Sequence, residues 1–101
     1  MSTSISTDPV VTDPEFYSVV FENDRVCVLE YRDRPGDRTH EHSHPDMAII
    51  PLTTFRRRLT LGGRTVEVEK VQHEAAWVDA QTHIGENIGE GESHSLFVEL
   101  K

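Results

Sequence analysis

Cysteine occurs once in this 101-residue chain, at Cys27. That excludes an intrachain disulfide framework and a cysteine-rich zinc site. Basic residues are scarce: 10 Lys and Arg stand against 18 Asp and Glu, a formal charge of −8. Nucleic acid is therefore not an expected partner. No apolar run approaches the roughly 20 residues that span a bilayer, so no membrane partner is expected either. Met1–Thr7 lacks the charged and apolar regions of a secretory leader, and a reducing, cytoplasmic setting is the expectation. No segment sustains a 3.6-residue apolar period, which argues against a helical domain. Histidine, by contrast, is abundant, with six copies.

Length and composition predict one domain. Residues 1–15 are rich in Ser, Thr, Asp and Pro and read as a loose segment, or as a strand exchanged with another subunit. From residue 16 to 101 the pattern is β. Strands are predicted over 16–21, 26–31, 40–44, 47–52, 75–78, 84–88 and 93–100, with Leu96, Val98 and Leu100 on one face together with His94. Tyr31, Phe55, Trp77 and Phe97 are expected to fill the interior. The clearest hairpin runs from Phe55 to Lys70 about Gly62-Gly63. With those glycines as the loop, Leu59 faces Val66, Arg58 faces Glu67, Arg57 faces Val68 and Arg56 faces Glu69. Apolar pairs then share one face and charged pairs the other. Eight or nine short strands predict an all-β sandwich or small barrel.

The chemistry concentrates in His40-Glu41-His42-Ser43-His44. On an extended chain these three histidines point to one side, and neutral imidazoles suit Zn, Cu, Fe or Ni. His40 is a candidate further ligand or rim proton shuttle, or a solvated rim residue. His94 is a candidate pocket group, or a buried histidine satisfied by hydrogen bonds. Arg57 shares the parity of Leu59 and Val66 and so points inward, where it needs a partner. The candidates are a ligand carboxylate or a buried acid such as Glu30 or Glu99.

Pro35-Gly36, five residues, then His42-Ser43-His44 resembles the first motif of the cupin superfamily. The stretch from Trp77 to Asn87, with His83 and Asn87 separated by three residues, resembles the second. The resemblance implies a double-stranded β-helix of the jelly-roll type. It also implies that His42, His44 and His83 hold one divalent transition metal ion (Fe, Mn, Ni or Zn). The family's usual fourth ligand is a glutamate four or five residues after the second histidine. Ala48 and Ile49 occupy those positions here.

A three-histidine site keeps the ion's full positive charge and favours small anionic or chelating molecules. The implied activity is that of a metal-dependent enzyme, dioxygenase-like first and lyase or isomerase second. The alternative is a non-catalytic metal- or small-molecule-binding module. Small single-barrel cupins commonly pair, so a homodimer is expected.

Overall fold

Short runs of β-branched and aromatic residues separated by Gly, Asn and Asp favour strands joined by tight turns. The computed structural model describes residues 7–101, and these residues carry nine strands and one short helix. The strands are β1 (Tyr17–Glu22), β2 (Val26–Asp33), β3 (His42–His44), β4 (Met47–Pro51), β5 (Phe55–Leu61), β6 (Arg64–Lys70), β7 (Ala76–Val78), β8 (Gln81–Asn87) and β9 (Ser93–Leu100). All pair antiparallel. They form a five-stranded sheet in the order β1-β2-β9-β4-β7 and a four-stranded sheet in the order β3-β8-β5-β6. The expected jelly-roll architecture is observed.

The β5–β6 hairpin has the register set by its two-glycine turn, with Leu59 opposite Val66 and Arg57 opposite Val68. Gly62 and Gly63 both have positive φ, at 56° and 83°. This is the backbone of a two-residue turn whose twist matches the flanking strands. The hairpin's apolar face is only partly covered, and Val66 stays exposed.

The core cluster lies on the inner face of the five-stranded sheet: Tyr17, Leu29, Tyr31, Met47, Ile49 and Phe97. Two parts of the interior differ from expectation. In β9 the inward residues are Ser93, Ser95, Phe97 and Glu99, whereas His94, Leu96 and Val98 lie on the outer side. Trp77 is 55% exposed rather than interior, and its indole donates to Asp79 at 2.9 Å. The physical reason is that this interior is partly polar, so apolar alternation alone points the wrong way on β9. Across the outer face, the pairing sets Phe21, Val28, Val98, Ala48 and Trp77 in one row over all five strands.

Residues 7–15 pack against the barrel of their own chain, and the first six residues of the 1–15 segment lie outside the described part. Helix α1 (Pro9–Thr12) starts at Asp8, whose side chain accepts from the Val10 N–H, with Pro9 at the first helical position. Thr7 lies beside β3, its carbonyl accepting the Ser43 N–H at 2.9 Å. Asp13 is fully buried. It accepts from the backbone N–H of His40 at 3.0 Å and from the Thr12 hydroxyl at 2.8 Å. The segment thus braces the loop that leads into β3.

Candidate metal centre

β3 and β8 pair so that His42 lies opposite His83 and His44 opposite Gln81. Strand alternation turns His42 and His44 inward, and β8 presents Gln81, His83, Gly85 and Asn87 along the same inward row. The three histidines are buried, and one ring nitrogen from each lies within 4.8 Å of the others.

Each ring is fixed by its Nδ1 atom, as ligating histidines generally are. In His42, Nδ1 lies 2.8 Å from the His40 carbonyl oxygen. In His44 it lies 2.6 Å from Glu99 Oε2, and in His83 it lies 2.6 Å from Gln81 Oε1. All three partners are acceptors, so each Nδ1 donates and each Nε2 is left facing the other two rings. Burial, followed by repulsion from His44, lowers the His42 pKa to about 4. Burial, followed by repulsion from His44 and His42, lowers that of His83 to about 3. The rings of His42 and His83 are therefore uncharged near neutrality and available to a cation. The donor set fits a divalent transition metal.

Tyr17 completes the cluster. Its hydroxyl oxygen is 3.3 Å from His42 Nε2 and 3.5 Å from His44 Nε2. Burial, the largest cause, raises its pKa well above the ordinary value. A cavity of about 230 Å³ adjoins the cluster. Tyr17, His42, His83, Met47, Ile49 and Phe97 are among its lining residues, and its walls are mainly apolar. Ser95 is another lining residue, and its Oγ is the one buried side-chain polar atom without a hydrogen-bond partner among the described residues.

Arg57 points inward, as its parity requires, and lines the same cavity. Its partner is Asp33 rather than Glu30 or Glu99. Nη1 donates to Asp33 at 2.6 Å and to Ser93 at 3.2 Å, while Nη2 donates to the Tyr31 oxygen at 3.0 Å. The Tyr31 hydroxyl in turn donates to Asp33, and Asn87 Nδ2 donates to the other Asp33 oxygen at 3.0 Å. Gly85 makes room for the guanidinium, since a Cβ there would come within 2.6 Å of Arg57 Nη2.

The remaining histidines lie elsewhere. The His40 side chain is 77% exposed, and its ring meets Asp13 at 2.9 Å. The hydrogen bond to Asp13 raises its pKa. His94 pairs with Glu30 at 2.7 Å on the outer side of β9. Neither joins the cluster. His73 occupies a turn with φ 68°. Cys27 is half-buried, and burial pushes its thiol pKa up, which disfavours a nucleophilic role.

Sequence reading missed Tyr17, Glu99 and Gln81 as members of the cluster. Gln81 was detectable, because it shares the parity of His83. Tyr17 and Glu99 come from strands distant in sequence, and nothing local marks them.

No family model and no curated protein matches the chain. Solved structures do. A cupin domain protein from Bordetella pertussis superposes with TM-score 0.78 at 26% identity, covering 84% of this chain and 91% of that one. An RmlC-like cupin from Methanocaldococcus jannaschii, described as a double-stranded β-helix, gives TM-score 0.67 at 13% identity over 83% of this chain and 77% of that one. The polyketide cyclase RemF from Streptomyces resistomycificus gives 0.60 at 23% identity, covering 83% of this chain and 63% of that one. Two antiparallel sheets and these structural likenesses give the chain the double-stranded β-helix fold of cupin domain proteins, with a histidine cluster on the two strands that resemble the cupin motifs.

Proposed function

We propose that this chain binds one divalent transition metal ion and acts as a metal-dependent enzyme on a small anionic or chelating molecule. The observation that carries the reading is the convergence of three buried histidines whose Nδ1 atoms are all engaged. His42, His44 and His83 would hold the ion, taken from Fe, Mn, Ni and Zn. Such an ion supplies Lewis acidity, or oxygen activation where it is iron.

The chain's own residues account for the rest. Glu99 and Gln81 orient two of the rings. Met47, Ile49 and Phe97 give the cavity apolar walls. Ser95 Oγ offers a hydrogen bond to a polar group of the bound molecule. Arg57 is engaged by Asp33, so attraction for an anion comes from the ion and not from this side chain. Dioxygenase-like chemistry is the first reading and a lyase or isomerase the second. The likeness to a polyketide cyclase favours keeping the second open. A non-catalytic binding module is the alternative, favoured by Ile49 standing where the family usually carries a glutamate.

The same reading takes the protein to work in a reducing cytoplasm as a homodimer. The half-exposed row from Phe21 to Trp77 supports self-association, with those two side chains 54% and 55% exposed. Sedimentation that finds only an 11.5 kDa species would exclude the dimer.

The decisive experiment is elemental mass spectrometry of untagged protein, as wild type and as His83→Ala, followed by turnover assays on oxygen-dependent and Lewis-acid substrates. One equivalent of metal in the wild type, lost in the variant, is expected. Bound metal with no turnover on either panel favours the binding module. No metal after reconstitution with Fe, Mn, Ni and Zn overturns the reading.

A further inference from the structure

We propose that Tyr17 supplies the fourth ligand atom of the metal centre, in the place left by the absent glutamate. The inference deepens the metal-binding reading above and rests on it. Four-coordinate sites with metal–ligand bonds of about 2.0–2.1 Å have ligand atoms about 3.3–3.4 Å apart along each tetrahedral edge. The Tyr17 oxygen is 3.3 Å from His42 Nε2 and 3.5 Å from His44 Nε2. It therefore stands at about that distance from two of the three histidine donors, whose own nitrogens lie within 4.8 Å of one another and would draw together around an ion.

Its position is held from several sides. The Tyr17 ring packs against Tyr31 at 4.5 Å and Phe97 at 5.7 Å between centroids. Tyr17 also pairs with Tyr31 across β1 and β2. The hydroxyl has no hydrogen-bond partner described other than the two histidines. Packing thus fixes the ring, while the hydroxyl is aimed at ring nitrogens of two candidate ligands. Ile49, at one of the positions where a glutamate would follow the second histidine, turns a buried apolar side chain inward and brings no donor.

On coordination the phenol oxygen enters as phenolate. The O–H bond breaks, a metal–oxygen bond forms, and the proton passes to the buffer. No oxidant or reductant is required. The added negative charge replaces the one that the missing carboxylate would bring.

The test is titration with Zn(II) alone, which is free of visible absorption of its own, on wild type, Tyr17→Phe and His83→Ala. Affinity is read by competition with a chromophoric chelator. Ionisation is read as the ultraviolet difference spectrum of a tyrosinate. Tyr17→Phe keeps the ring and its packing, and circular dichroism confirms the fold. In the wild type, Zn(II) is expected to bind at one equivalent and produce the signature of one of the two tyrosines. Tyr17→Phe should lose the signature and bind at least about tenfold more weakly, the smallest loss that even an outer partner of a metal ligand usually gives. Equal affinity without a tyrosinate signature in the wild type overturns the role of Tyr17 while leaving the histidine site intact. Weaker binding without that signature also overturns it, since the hydroxyl would then be only a hydrogen-bonding neighbour. Absence of binding by wild type to Zn(II), Fe, Mn and Ni overturns both readings.

Discussion

Along the inward row of β8, His83 belongs to one cluster of buried polar side chains, while Gly85 and Asn87 border another. Around Arg57 every partner is present: Asp33 carries the opposite charge, and Ser93, Tyr31 and Asn87 complete the hydrogen bonds. Around His42, His44 and His83 the outer nitrogens are equally well served, yet the inner ones meet only each other and the Tyr17 hydroxyl. The first cluster is closed and neutral in sum. The second is a set of lone pairs facing one another, which is poor for stability and good for binding a cation. Burial alone does not separate a structural cluster from a site; what separates them is whether every donor and acceptor already has a complement.

Acid should break the second cluster most severely. The folded pKa values of His42 and His83, about 4 and about 3, lie below the ordinary value of about 6.5. Below pH 6.5 the unfolded chain binds protons that the folded chain refuses, so stability falls as pH falls. The loss continues to about pH 4 for His42 and about pH 3 for His83. Each histidine should contribute up to about 1.4 kcal/mol per pH unit within its window. Urea denaturation of metal-free protein across this range checks it, and a flat profile from pH 6.5 to 4 would contradict it.

Asp33→Ala should break the first cluster and leave the second in place. Stranding the Arg57 charge in the interior is expected to cost about 3–5 kcal/mol, measurable by chemical denaturation. Metal stoichiometry per folded molecule should not change, and its loss would show that the two clusters act as one.

Glu99→Gln is the subtlest of the three. It removes the charge that His44 Nδ1 donates to and should weaken metal affinity about 10–100-fold. Competition with a chelator reads the change; an unaltered affinity would make Glu99 a packing residue.

Local features were legible in the sequence. The Gly62-Gly63 turn carried the whole β5–β6 register. The two-residue spacing of His42 and His44 made both face one side, and the cupin resemblance brought His83 to them. Arg57 was correctly placed inward by parity, but its partner Asp33 lies on the other sheet, where no sequence spacing could identify it. β9 was misread for a physical reason. Ser93 and Glu99 face inward to serve Arg57 and His44, so the strand's more apolar side is its outer one. Trp77 followed the same error, because an aromatic on the outer face of a half-covered sheet looks like a core residue on paper.

The pairing of β2 with β9 joins segments nearly seventy positions apart, for example Leu29 opposite Phe97. The candidate ligands and their supports are dispersed just as widely, with Tyr17 on β1, His44 on β3, His83 on β8 and Glu99 on β9. Contacts of such long sequence separation form late and slowly. During synthesis, a chain that has emerged only as far as β8 would carry all three histidines and lack the strand that orients His44. If the proposed site binds its ion, full affinity would then arrive only when β9 docks, and loading would report that the barrel has closed. A metal that binds the folded chain and not its precursors also pulls folding to completion.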